Sequence, residues 1–235
     1  MHFSVLDVET LLLSLRVGVY ASLLCLPFAL GSAWLLARAR FPGKPLFNAI
    51  VHGPLVLPPV VVGYLLLLLF GVRGPVGGWL HESFGIRLVF TTAGAVLASA
   101  IMAFPLMVRA IRLSLDAVDG GLEFAARSLG AGRFDAFCTV TLPLMLPGIL
   151  AGLLMAFASS LGEFGATITF ASNIEGQTRT LPLAIYSATQ KPDGDAEALR
   201  LVLLSMALAL AALMLSEFVE RRAARMIYGN RHDRV

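Results

Sequence analysis

The chain has 235 residues, 57% hydrophobic and only 14% charged, with a mean hydropathy of +0.81. Soluble domains carry about 25% charged residues, so this composition suits lipid as the solvent. The net charge of +3 comes without a basic stripe interleaved with aromatics, which argues against nucleic-acid binding. The two cysteines, Cys25 in an apolar run and Cys138 in a polar one, argue against both a disulfide and a metal site.

A helix needs about 20 apolar residues to cross the hydrocarbon core. Five segments meet this requirement, at roughly 11–37, 47–70, 88–108, 142–161 and 198–219. The expected fold is therefore all-α and polytopic, one membrane domain over 1–235. The N-terminus, MHFSVLDVET, lacks the positive region of a cleaved signal peptide, and the run behind it is read as a retained first span. The second span contains Pro54, Pro58 and Pro59. Each removes a backbone donor and clashes with the preceding turn, so this helix kinks or is interrupted. Interrupted helices build translocation paths in many transporters, which makes Pro58 and Pro59 pathway candidates beside the alternative of a packing kink.

Between the third and fourth spans lies a polar, basic island, about 116–141. Its core, LEFAARSLGAGRF, has helical composition up to Leu129, a break at Gly130-Ala131-Gly132, and a resumption at Arg133. Phe134 and Phe137, three apart, share one helical face. Pro143 sits where the first turn of the next span tolerates it. The pattern predicts two short helices with a tight bend, either a docking knob for a partner or a solvated hairpin.

The outer end of the fourth span runs into SSLGEFGAT, small polar groups around one carboxylate. Ser159, Ser160, Gly162, Glu163, Phe164, Gly165, Thr167, Thr169 and Asn173 are the further pathway or gate candidates, with local capping as the alternative for each hydroxyl. The segment 164–190 is too polar to span simply and too apolar for a free loop. It is read as a re-entrant or interfacial segment covered by protein, with a sixth, broken span as the competing reading.

Lys and Arg placement orients the spans. Twelve fall after the first span, in the island and in the tail (Arg221, Arg222, Arg225, Arg231 and Arg234 among them); four, Arg73, Arg87, Arg179 and Lys191, fall on the other side. The positive-inside rule puts the island and C-terminus in the cytoplasm and the N-terminus outside.

Ala125, Ala126, Gly130, Val140, Leu142 and Pro143 resemble the EAA motif, EAA-x3-G-x9-I-x-LP, of permease subunits in binding-protein-dependent ABC importers. One departure stands out: Phe124 occupies the motif's Glu position and Glu123 lies one residue earlier. Beyond the island, LVLPPVVVGYLLLLLFG, RGPVG, SLGEFGATITFASNI and TRTLPLAIY are similar to the molybdate branch of that family; sulfate and thiosulfate permeases look similar around GEFGA.

The resemblance implies a homodimer in the bacterial inner membrane, two cytoplasmic ATPase subunits that receive the coupling loops, and a periplasmic molybdate-binding protein. ATP and Mg are then used by the partner ATPase, and this chain binds no cofactor or metal and is not catalytic. It further implies a coupling role for Glu123, Ala125, Ala126, Gly130, Arg133, Phe134, Phe137, Val140, Leu142 and Pro143. The sequence agrees that the energy source lies elsewhere: its Gly-Lys pair, Gly43-Lys44, lacks the upstream glycine and following Ser or Thr of a phosphate loop. Sulfate, thiosulfate or tungstate are alternative substrates, and an ATPase-independent anion channel or secondary transporter is the alternative class.

Overall fold

A computed structural model describes residues 5–228. The elements are α1 (Val5–Arg38), α2 (Lys44–Val56), α3 (Pro59–Phe70), α4 (Pro75–Phe84), α5 (Thr92–Asp116), α6 (Gly120–Ser128), α7 (Arg133–Ala136), a π turn (Phe137–Thr141), α8 (Leu142–Leu161), α9 (Gly165–Phe170), α10 (Leu181–Thr189) and α11 (Asp195–Tyr228). Arg231 and Arg234 of the basic tail lie outside the described residues.

Four helices among the described residues are long and apolar enough to cross a membrane: Leu6–Arg38, Thr92–Asp116, Arg133–Leu161 and Asp195–Leu215. Counting the bent pair α2–α3 as one makes five.

The bundle is organised around α1, α5 and α8. Along α1, Val17, Ala21, Cys25, Ala29 and Ala33 recur every four residues and are fully or almost fully buried. A helix that is apolar all round shows no amphipathic stripe, so it is side-chain size along this seam, rather than hydropathy, that selects the packed face. Small side chains let backbones approach closely, and van der Waals contact replaces the hydrophobic driving force that lipid does not supply. Opposite this seam α5 presents Ala100, Ala103, Met107, Val108, Ile111 and Leu115, and α8 adds Met145, Ile149 and Ala156. Gly148 and Gly152 seat α8 against α5: a Cβ at Gly148 would overlap the Ser114 side chain, and one at Gly152 would lie 3.2 Å from Met107 Cγ. The Cys25 thiol donates to the Ala100 carbonyl at 2.9 Å, a link between helices rather than a reactive group.

The second predicted span, 47–70, is not one helix. The last bond of α2 is Leu57 N–H to Gly53 carbonyl, 3.0 Å. Pro58 and Pro59 then offer no N–H, and a residue before proline is pushed out of the α region: Leu57 has ψ 140° and Pro58 ψ 135°. The chain leaves the first axis, and α3 restarts with Pro59 in its first turn, bent by 117° from α2. The third predicted span, 88–108, is displaced along the chain. Thr91 caps the helix by accepting the Gly94 N–H at 3.1 Å, so α5 starts at Thr92 and runs to Asp116.

The segment 164–190 consists of two short helices, α9 and α10, joined by a braced turn. α9 packs on α3, with Val62, Leu66, Ala98, Ala166 and Phe170 in one buried cluster. α10 packs on α11 through Leu181, Ala184, Ala188, Ala198 and Leu201. The start of α10 is capped from 167 residues away: the buried Leu181 N–H donates to Ser14 Oγ on α1 at 2.7 Å, and Ser14 Oγ donates in turn to the Thr10 carbonyl at 2.9 Å. α1, α5 and α8 thus fix the scaffold, and the bent and short helices hang on it.

Candidate functional site

Two assemblies carry the predicted functional residues, one at each end of α8.

At the first, α5 ends at Asp116 and the chain turns into α6. Asp119 caps α6 by accepting the Gly121 N–H at 2.8 Å. None of the α6 residues is buried. The helix stops at Gly130, whose φ of +102° is a left-handed conformation that costs glycine little and other residues more. Arg133 then starts a helix that is not the isolated second arm expected from the sequence. α7, the π turn and α8 are continuous, and the Leu142 N–H reaches back to the Phe137 carbonyl as a π turn requires. Gly132 and Ala131 make the bend; Pro143 lies in the first turn of α8 without interrupting the rod. α1 also ends here: the Arg38 guanidinium lies 3.9 Å from where a Gly120 Cβ would stand.

The exposed apolar surface of this knob differs from the sequence expectation. Phe134 is 80% exposed, but Phe137 turns inward and packs against the α1–α5–α8 core. In its place Leu129 (90% exposed) and Phe124 (72%) project from α6. Leu129 had a signal in the sequence, a leucine before the break glycine in a polar island. Ala125, Gly130, Arg133 and Pro143 are exposed; Ala126, Val140 and Leu142 are half-buried, with Leu142 packed against the core. Glu123 is half-buried and its Oε2 accepts from Thr141 Oγ1 over a long 3.4 Å. Thr141 was not singled out in the sequence.

At the other end, α8 stops at Gly162 and Glu163 caps the next helix, α9. The Ala166 N–H donates to Glu163 Oε1 at 2.8 Å, placing the carboxylate at the positive end of α9. Here α3 and α9 cross on their glycines. A Cβ at Gly63 would stand 2.8 Å from both the Ala166 carbonyl oxygen and Thr169 Cβ, and one at Gly165 would stand 2.7 Å from Pro59 Cβ. The break at Pro58-Pro59 and the GEFGA stretch, separated by about a hundred residues in the chain, therefore meet. Around the break, residues 55–61 are all exposed, an apolar surface that α3 carries on through Tyr64, Leu65, Leu68 and Leu69.

The predicted hydroxyls are mostly spent. Thr167 Oγ1 is buried and donates to the Phe164 carbonyl at 2.9 Å, Thr169 Oγ1 to the Gly165 carbonyl at 2.8 Å, and Ser160 Oγ to the Ala156 carbonyl at 2.8 Å. Asn173 donates to Ser187 Oγ at 2.6 Å and accepts from Arg179 Nε at 2.9 Å, which makes it a brace between the α9–α10 turn and α10. Phe164 packs against Tyr186 with the rings tilted by 56° and their centroids 5.2 Å apart. Ser159 is half-buried, and Gly162, Pro58 and Pro59 are exposed. No group of three or more His, Cys, Asp or Glu among the described residues could hold a metal ion.

The model of the family described as "binding-protein-dependent transport system inner membrane component" matches residues 26–225. The chain belongs to this family. It is a multi-pass inner-membrane permease component, and the chemistry of ATP belongs to a separate subunit. The permease is 58% identical over 213 residues to the molybdenum transport system permease protein ModB of Escherichia coli K12, covering 91% of this chain and 93% of that protein. It is 37% identical over 205 residues to the sulfate transport system permease protein CysT of the same organism, covering 86% and 73%. Its fold matches the crystal structure of a bacterial ABC transporter involved in import of the acidic polysaccharide alginate, with TM-score 0.74, 17% identity, and 94% and 80% of the two chains covered.

Proposed function

We propose that this permease is the membrane subunit of an ATP-driven importer that carries molybdate from periplasm to cytoplasm by alternating access. The observation that carries the substrate is the 58% identity to a molybdenum permease across nearly the whole of both chains, against 37% to a sulfate permease. Two copies form the pathway between them, two cytoplasmic ATPases drive it using ATP and Mg, and a periplasmic molybdate-binding protein supplies it. The knob of α6 and α7 faces the cytoplasm, with the N-terminus periplasmic and the C-terminus cytoplasmic, as the distribution of Lys and Arg supports.

Exposed Leu129, Phe124 and Phe134 fit a hydrophobic groove on the ATPase, since a rigid aromatic anchor in a pocket is how such contacts gain affinity. Arg133 stands on the rim. The pathway candidates reduce to those left accessible around the α3–α9 crossing and the end of α8, Pro58, Pro59, Gly162 and Ser159, with Gly165 buried in the crossing and Glu163 holding the end of α9. An anion in transit is met by backbone dipoles and small polar groups, which bind weakly enough to let it leave.

The test is radiolabelled molybdate uptake into proteoliposomes holding this permease, its ATPase and the binding protein, with sulfate as competitor. ATP-dependent uptake that excess sulfate does not suppress supports the reading. Sulfate uptake in preference to molybdate overturns the substrate, and uptake by the permease alone without ATP overturns the class.

A further inference from the structure

We propose that Glu123 and Thr141 form the joint through which motion of α6 is passed to α8, with Glu123 acting as a positioning residue turned toward its own chain rather than toward the ATPase. This rests on the coupling role proposed above for the knob.

Three observations carry it. First, α6 is held loosely by everything else. It buries none of its residues, and its covalent link to α7 runs through Gly130, which has φ +102° and open space around it. The turn at Gly130 is closed by backbone bonds back to α6 (Gly130 N–H to the Arg127 carbonyl and Ala131 N–H to the Ala126 carbonyl, 3.1 Å each), which cap the helix but do not themselves reach α8. Second, the side chain that closes this gap is Glu123. Its Oε2 accepts from Thr141 Oγ1 at 3.4 Å, while Thr141 itself is 1% exposed. Among the described residues Glu123 takes part in no ion pair; the ion pairs seen there, such as Arg112–Asp116 at the end of α5, leave it aside. Its bond is thus within the chain. Third, Thr141 is the last residue of the π turn. A π turn inserts one residue into the helix and re-aims the side chains around it, and such turns concentrate at functional positions.

The joint has leverage. From Thr141, α8 runs 20 residues to Leu161, about 30 Å at the helical rise, and ends beside Glu163 and the α3–α9 crossing. A push received at Leu129, Phe124 and Phe134 and stiffened at Glu123–Thr141 arrives where the pathway candidates lie. The one-residue offset of the acid from the EAA register acquires a reason: on α6 a shift of one residue turns a side chain by about 100°, from the exposed face held by Phe124 to the side of Thr141.

The experiment uses the full permease in complex with its ATPase and binding protein, reconstituted as above, and reads molybdate imported per ATP hydrolysed. Glu123→Ala and Thr141→Val each remove one end of the bond and are expected to lower that ratio by about fivefold, the scale of one ordinary hydrogen bond, with ATPase binding within about twofold of wild type. The double variant is no worse than either single one. Glu123→Gln and Thr141→Ser keep an acceptor and a donor and stay near wild type.

Glu123→Gln as impaired as Glu123→Ala would show that the charge, and hence an external cation, is what matters, and would overturn the joint. So would a Thr141→Val variant that couples normally. Hydrogen exchange on the full-length permease alone, in micelles, reads the joint without transport. The α6 amides exchange faster in Glu123→Ala and Thr141→Val but not in Glu123→Gln; equal exchange in all of them refutes the joint even if the substrate reading fails.

Discussion

The tight crossing of α5 and α8 in the scaffold gives a prediction whose size follows from its geometry. Gly148 on α8 faces Ser114 on α5, and an added Cβ would overlap the Ser114 Cβ while standing 2.7 Å from its Oγ and 3.2 Å from the Ala110 carbonyl oxygen. A rotamer change moves the Oγ but not the Cβ, which is fixed to the backbone, so in Gly148→Ala the helices must part. Overpacking of this kind costs about 1–3 kcal/mol, and one or two of these is about a 5- to 30-fold change in the ratio of folded to unfolded protein.

Ser114→Gly removes both offending atoms. By itself it loses a long bond to the Met145 carbonyl, 3.5 Å, and about 1 kcal/mol of helix propensity. In the double variant the new alanine occupies the space the serine left. The two effects therefore fail to add by at least about 1 kcal/mol, well outside the roughly 0.3–0.5 kcal/mol scatter of independent sites. The assay is denaturant unfolding of the purified protein in mixed micelles, followed by circular dichroism for all four proteins. Strict additivity, or a Gly148→Ala protein as stable as wild type, refutes the packing argument.

Other consequences are as specific. Ser14→Ala leaves the buried Leu181 N–H without its acceptor and should cost about 1–3 kcal/mol, with faster hydrogen exchange at the Leu181 amide; unchanged exchange would remove Ser14 as the cap of α10. Phe134→Ala and Phe137→Ala should separate cleanly. The first leaves stability unchanged and weakens ATPase binding by about tenfold, a hot-spot loss of more than 1 kcal/mol. The second lowers stability by about 2–4 kcal/mol because its ring packs on the core, and unfolding curves beside a pull-down titration distinguish the two. Gly130→Ala, at φ +102°, should destabilise the bend by about 1 kcal/mol, whereas Gly132→Ala, at φ −66° with open space around it, should be nearly neutral; equal effects in thermal melts would count against a conformational cause.

Much of this protein was legible in its sequence because lipid is an unforgiving solvent. Long apolar runs have to become helices, since every backbone donor must be satisfied within the segment, so the all-α membrane class and the first, fourth and last helices follow from hydropathy. Pro58 and Pro59 remove two consecutive donors, which dictated a break there, and the spacing of Ala125, Ala126, Gly130, Leu142 and Pro143 pointed to the family before any contact was known.

Tertiary structure alone decided the rest. Hydropathy cannot say which face of an apolar helix is inside; close approach chose the small-residue seam of α1 and the glycines of α8. The 117° angle between α2 and α3 follows from the α3–α9 crossing as much as from the prolines, because Gly63 and Gly165 admit a backbone contact that no local pattern records. Phe134 and Phe137 look equivalent at three-residue spacing, yet the continuous rod of α7, the π turn and α8 sends one outward and the other into the core. The partner of Glu123 lies 18 residues further along the chain. Local propensity sets which segments become helices, but which side chains meet depends on distances that close only when the helices pack.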